Sequence, residues 1–147
     1  MSASRIDYYK ASPEAINAML GLEKFINNCD LDKILLELIK LRASQINGCA
    51  FCVDRHCDDA IKAGESQRRI KAVAVWQEAP FFTERERAAL AWTEAVTLIS
   101  ETHAPDDLYQ EVLKHFSEKE TLDLTMAIIT INSWNRLAVS FRKVPTK

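Results

Sequence analysis

Glu37-Leu-Ile-Lys-Leu-Arg-Ala-Ser-Gln-Ile-Asn47-Gly48-Cys49-Ala-Phe-Cys52-Val-Asp-Arg-His56 is the stretch from which the fold and the chemistry of this chain are read together. Between Leu31 and Ile46 apolar residues are dense enough to cover both faces of one helix, as expected of a central element in a bundle. Asn47-Gly48 breaks that helix as a tight turn, and a following helix spans Cys49 to Ala63 with Gly64 as its stop. Working outward, Ser12-Pro13-Glu14 supplies a cap, a proline at the first helical position and an early acid for a helix running to about Asn28. Asp30 is the expected cap of the central helix, and a fourth helix begins at Ser66 and ends before Pro80. Thr83-Glu-Arg-Glu86 and Ser117-Glu-Lys-Glu120 are capping boxes that open long helices ending near Glu101 and Ser140, and a shorter helix fits after Pro105. No strand-type alternation or low-complexity linker interrupts the pattern. The expectation is one all-α domain over residues 1–147, a helical bundle of about six or seven helices.

Composition narrows the function. The 147 residues carry 19 Lys plus Arg against 21 Asp plus Glu, a net charge of −2, too weak a field to gather nucleic acid or an anionic membrane. The longest uncharged run, Leu124 to Asn135, is well short of the roughly 20 apolar residues that cross a bilayer. Met1 to Tyr9 offer no apolar core for a secretory signal, so a cytoplasmic location is expected, with the four cysteines in a reducing compartment. A chain of this size can bury about 70% of its unfolded surface and needs neither disulfide nor metal to fold. Closely spaced cysteines then point to catalysis, redox sensing or metal rather than to a staple.

At 100° per residue Cys49, Cys52 and His56 fall within an arc of roughly 60° on one helix face. Cysteines at i and i+3 can approach closely enough to bridge, and at the first turn of a helix the unpaired N–H groups and the dipole favour a thiolate. His56, four residues after Cys52, is at the offset from which an imidazole takes a thiol proton, so Cys52 is the better attacker. In an antiparallel pair Glu37 and His56 lie ~15 and ~12 Å from the turn and can face each other. Glu37 shares its face with Ile34, Leu41 and Ser44, where a carboxylate needs a partner; His56 supplies one, and a surface pairing with Arg42 or Lys33 is the competing arrangement.

These residues, spaced Glu-x11-Cys-x2-Cys-x3-His within an all-helical chain, resemble the alkylhydroperoxidase D (AhpD-like) family of the carboxymuconolactone decarboxylase superfamily. The resemblance extends to Lys40-Leu-Arg-Ala-Ser44-Gln-Ile-Asn47-Gly48-Cys49, Glu78-Ala-Pro80-Phe-Phe, Glu86-Arg-Ala-Ala-Leu-Ala-Trp92 and Ile131-Asn132-Ser-Trp134-Asn135-Arg136. It implies a peroxidase or thiol-disulfide oxidoreductase, free of metal and haem, in which Cys52 attacks a small hydroperoxide and becomes a sulfenic acid. Cys49 resolves it, a dithiol reductant protein reopens the Cys49–Cys52 disulfide, and Glu37 with His56 forms a proton relay. The donor in the best-known members is a lipoyl-bearing carrier, and members assemble as homo-oligomers, commonly dimers, trimers or hexamers. One position departs: those peroxidases carry a second histidine immediately before the later cysteine, where this chain has Phe51. The departure shifts weight toward disulfide substrates or peroxide sensing.

Three other readings compete. Cys49, Cys52 and His56 are three ligands of the type zinc takes, with His103 and His115 at no spacing that recruits a fourth. The superfamily's name suggests a lactone decarboxylase, against which the cysteine pair argues. A helical sensor that oxidises without turnover is the non-enzymatic alternative. Cys29 and Cys57 read as small packing residues, Asn132 and Asn135 as a satisfied polar contact between helices or subunits, and Trp76, Trp92 and Trp134 as core or interface.

Overall fold

The computed structural model describes residues 4–146; Met1 to Ala3, part of the stretch read above for a signal, and Lys147 lie outside the described residues. Among the described residues there are nine α-helices and no strand. They are α1 (Tyr8–Ala11), α2 (Pro13–Asn27), α3 (Lys33–Ile46), α4 (Ala50–Lys62), α5 (Gln67–Ala72), α6 (Glu84–Thr97), α7 (Ile99–Thr102), α8 (Asp106–Leu113) and α9 (Glu118–Ser140), with a 3-10 turn at Val73–Val75. The all-α expectation holds. The count exceeds six or seven because α1 and α7 are single turns of four residues.

α3 is the central element, packed against α4, α6 and α9. Leu38, Ile39, Leu41, Ala43 and Ser44 are all fully buried, so every face of the helix is covered, as its composition requires. Its cap is Asp32, which accepts from the Leu35 N–H at 2.9 Å, rather than the expected Asp30. The register follows from Leu31: with Asp32 as the cap, Leu31 precedes it and Leu36 is the fourth helical residue, the two positions of a hydrophobic staple, and both enter the core. Capping at Asp30 would sacrifice that contact.

Two further boundaries differ from the sequence reading. Ser66 does start α5, but the regular helix stops at Ala72, not near Pro80. Val73, Trp76 and Ala79, spaced by three, are all buried, a period that suits 3-10 geometry better than an α-helix. The Thr83 capping box is formed, yet α6 ends at Thr97 and the chain bends at Leu98 before α7. There the Thr102 hydroxyl turns back to the Ala95 carbonyl at 2.6 Å, satisfying a C-terminal acceptor that a continuous helix would have paired in-line. The Ser117 capping box and the end of α9 at Ser140 match the expectation. Among the described residues no helix is long and apolar enough to cross a membrane.

Candidate active site

The turn between α3 and α4 positions the site. Gly48 has φ +64°, the left-handed region, and its Cβ position is open, so the backbone twist alone selects glycine there. The turn is tied to α9: the Asn47 side-chain amide donates to Oδ1 of Asn132 at 2.9 Å and of Asn135 at 3.0 Å. The fully buried Asn135 donates in turn to Ser44 Oγ at 3.0 Å, and Ser44 donates to the Lys40 carbonyl at 2.7 Å. The two asparagines thus make the satisfied interhelical contact read from the sequence. They hold the backbone from which Cys49 leaves, whose N–H bonds the Ser44 carbonyl at 3.0 Å.

Cys49 is the N-cap of α4 and Cys52 its third residue. Their sulfurs are joined as a disulfide with the Cα atoms 5.3 Å apart, and the Cys52 N–H points at Cys49 Sγ at 3.3 Å. This is the first-turn environment in which unpaired amides and the helix dipole favour sulfur anions. Both residues are buried, at 2% and 4% exposure, beneath Ala138 and Phe51. They are not equivalent: Cys52 lines a pocket of about 340 Å³, and Cys49 does not.

His56, Glu37 and Lys40 line the same pocket. His56 Nδ1 lies 2.8 Å from Glu37 Oε2, and the Lys40 ammonium donates to Glu37 Oε1 at 3.1 Å, so each carboxylate oxygen holds one donor. Burial pushes the Glu37 carboxyl up, but the His56 hydrogen bond and the Lys40 charge outweigh it and leave the group below the ordinary carboxylate value. An ionised carboxylate only accepts, which places a ring proton of His56 on Nδ1 and leaves Nε2 as the ring nitrogen not engaged with Glu37. The competing surface pairs are absent from Glu37, since Arg42 bonds Glu94 instead at 2.8 Å. Phe51, standing where the resembling peroxidases have histidine, is another pocket residue, with the Lys143 ammonium 4.5 Å from its ring centroid.

The four residues expected to form the site, Glu37, Cys49, Cys52 and His56, are therefore brought together. Sequence reasoning missed Lys40, although a lysine inside a helix covered on both faces is itself a signal, because its burial is costly without a role or a partner. Cys29 and Cys57 are partly buried free thiols packed against the two larger core clusters. Burial pushes the Cys57 thiol up, with Asp58 and Asp54 adding to it, away from thiolate character. Trp76 and Trp92 are buried, and Trp134 is a half-buried pocket residue whose indole N–H bonds Glu23 at 2.8 Å. Among the described residues the trio with metal-ligating atoms mutually within 4.8 Å is Glu37, His56 and Asp59, and the Lys40 ammonium supplies a cation to Glu37.

Residues 11–95 match the profile of the carboxymuconolactone decarboxylase family. The chain is also 41% identical over 138 residues to YdfG of Bacillus subtilis, covering 94% of each protein. It belongs to the carboxymuconolactone decarboxylase family. A crystal structure from Agrobacterium tumefaciens, of a protein of unknown function provisionally assigned as an antioxidant defence protein AhpD, superposes with a TM-score of 0.96. It is 49% identical and the match covers 99% of this chain and all of that one. The alkyl hydroperoxide reductase AhpD of Coxiella burnetii is 46% identical over 48 residues, a third of this chain and 27% of AhpD. The carboxymuconolactone decarboxylase profile stops before α9, so the asparagines that fasten the cysteine turn are contributed from outside the matched span.

Proposed function

We propose that this protein is a cytoplasmic thiol-dependent oxidoreductase, active as a homo-oligomer, that reduces small hydroperoxides or disulfides through the Cys49–Cys52 pair. The observation that carries the reading is the sharing of one pocket by Cys52, the outer member of a dithiol pair, and the His56–Glu37 couple. In the reduced protein His56 Nε2 takes the Cys52 proton, with Glu37 fixing the ring through Nδ1. The Cys52 thiolate attacks the terminal oxygen of ROOH; the O–O bond breaks, RO⁻ leaves and is protonated to ROH, and Cys52 becomes a sulfenic acid. The Cys49 thiol then attacks Cys52 sulfur, the S–O bond breaks, and the hydroxyl departs with a proton as water. Two electrons pass from the dithiol to the peroxide, and an external dithiol protein, such as a lipoyl-bearing carrier, restores them. With a disulfide substrate the same thiolate attacks sulfur and a thiolate leaves.

Phe51 supports the inclusion of disulfides, because an aromatic ring beside Cys52 offers apolar surface and no proton. The test is intact-mass and peptide mapping of the reduced protein, alkylated before and after one equivalent of tert-butyl hydroperoxide. Cys49 and Cys52 become bridged while Cys29 and Cys57 stay alkylable, Cys49→Ser accumulates a dimedone-reactive sulfenic acid on Cys52, and dihydrolipoamide sustains turnover. Four thiols still free after minutes sink the hydroperoxide reading, and thiols that also stay free with a small disulfide substrate sink the whole; bridging that no dithiol reverses leaves a sensor rather than an enzyme.

A further inference from the structure

Resting on the redox reading above, we infer that Lys40 is a catalytic acid of this site: its ammonium binds the departing oxygen of the substrate and supplies its proton, while His56 acts only on sulfur.

Lys40 is 8% exposed, in a helix otherwise buried among aliphatic residues. Withdrawing an ammonium from water is costly, and an apolar residue of similar length would fill the space without that cost. Its single side-chain hydrogen bond among the described residues goes to Glu37 Oε1, although an ammonium carries three donors. Lys40 lines the pocket with Cys52 and His56 as well as a neighbouring cavity reaching Cys29 and Leu31, and the first of these is the one that holds the sulfur and its base.

The geometry of displacement gives that donor a task. A thiolate attacking a peroxide oxygen does so in line with the O–O bond, so the leaving oxygen departs on the side opposite sulfur. A base placed to take the proton from Cys52 is on the wrong side to give one to RO⁻, and an alkoxide is far too basic to leave unprotonated. The site therefore needs a second proton donor, and Phe51, at the neighbouring position, has none to give. Glu37 connects the two: Oε2 faces His56 Nδ1 at 2.8 Å and Oε1 faces Lys40 Nζ at 3.1 Å. The proton count closes through that carboxylate. Nε2 gains the Cys52 proton, Lys40 gives one to RO⁻, and the Nδ1 proton passes to Glu37 Oε2 and, once the carboxyl turns over, from that oxygen to Lys40 to restore the ammonium. His56 ends neutral, with its remaining proton on Nε2, and regains the starting tautomer by exchange with pocket water.

Leaving-group chemistry tests this without relying on overall activity. tert-Butyl hydroperoxide expels an alkoxide that must be protonated, whereas peracetic acid expels acetate, which needs no proton. Single-turnover oxidation of reduced Cys52 is followed by rapid alkylation quench for wild type, Lys40→Met and Lys40→Arg. Lys40→Met is expected to lose about 10²-fold with the hydroperoxide, the scale of one general acid, and less than about threefold with the peracid. Lys40→Arg, which keeps the charge but holds its proton too tightly to give it up, shows the same selective loss in smaller degree and replaces the Met variant if that one does not fold. Retained peracid reactivity shows in the same sample that the pocket is intact. Equal losses with both oxidants, or none with either, overturn the assignment and leave Lys40 a structural partner of Glu37. A wild-type protein inert to both oxidants overturns the hydroperoxide reading on which this assignment rests.

Discussion

Replacing Glu37 by Gln changes one oxygen to nitrogen and sets two donors against a third. The carboxylate accepts from His56 Nδ1 at 2.8 Å through one oxygen and from the Lys40 ammonium at 3.1 Å through the other. An amide has one acceptor and one donor end; with its oxygen kept on the ammonium, its NH₂ meets the imidazole N–H, and His56 can accept from it only by moving its proton to Nε2 and giving up the tautomer the carboxylate selects. The side chains of Glu37, Lys40 and His56 are 14%, 9% and 12% exposed, so water only partly replaces the lost contact. A hydrogen bond to a charged group contributes about 1.5–3 kcal/mol, and removing one partner of a fully buried pair costs about 3–5 kcal/mol. With one of two bonds kept and limited solvent access, we expect Glu37→Gln to destabilise the oxidised protein by about 2–4 kcal/mol at pH 7, lowering Tm by roughly 5–15 °C. The pH dependence supplies the control. Burial raises the Glu37 carboxyl, but His56 and Lys40 bring it below its ordinary value of 4.5 in the folded state, so its contribution is complete above that value and fades as pH falls through the folded one. The gap between wild type and variant should therefore be widest near neutrality and shrink below pH 4.5. Urea unfolding by far-UV circular dichroism, at one protein concentration and several pH values, measures it. An unchanged midpoint at pH 7, or a gap that widens toward pH 3, would refute the reasoning.

Other expectations follow from the packing. Asn135→Ala leaves the buried Ser44 hydroxyl without its donor and removes one of two acceptors from Asn47, so a loss of about 1–3 kcal/mol in urea unfolding is expected. Because that network holds the Cys49 turn, the same variant should also shift the equilibrium of the Cys49–Cys52 disulfide against a glutathione buffer; a potential unchanged from wild type would confine the network to stability. Leu38→Ala removes a fully buried side chain from the core against α4 and α5 and should cost about 2–5 kcal/mol, checked by the same titration. Gly48→Ala meets no neighbouring atom but must hold φ +64°, so about 1 kcal/mol is expected, and a cost several times larger would mean the turn needs more than backbone freedom.

Much of this protein is legible in one dimension, because the decisive features are local. The spacing of Cys49, Cys52 and His56 places them on one helix face, and the Asn47-Gly48 break folds Glu37 back toward them. Capping boxes at Thr83 and Ser117 mark helix starts since their hydrogen bonds close within three residues. The dense apolar run of α3 announces a central helix whatever packs on it. Tertiary contact settled the rest. Asp32 prevailed over Asp30 because Leu31 had to reach a core assembled from α6, α8 and α9. α5 gave way to a 3-10 turn at Val73–Val75, followed by a turn that keeps Trp76 and Ala79 buried beside Val73, and α6 broke at Leu98, where the Thr102 hydroxyl bonds the Ala95 carbonyl. The choice of Cys52 as the pocket-facing sulfur, the burial of Lys40 and the anchoring of Asn47 by residues some 85 positions away depend on how α9 lies across α3. Hydrogen bonds within a turn or two of helix are fixed by sequence offset. Burial and long-range pairing are properties of the packed bundle, and only there does a lysine three residues from a glutamate come to share a pocket with one of a pair of cysteines.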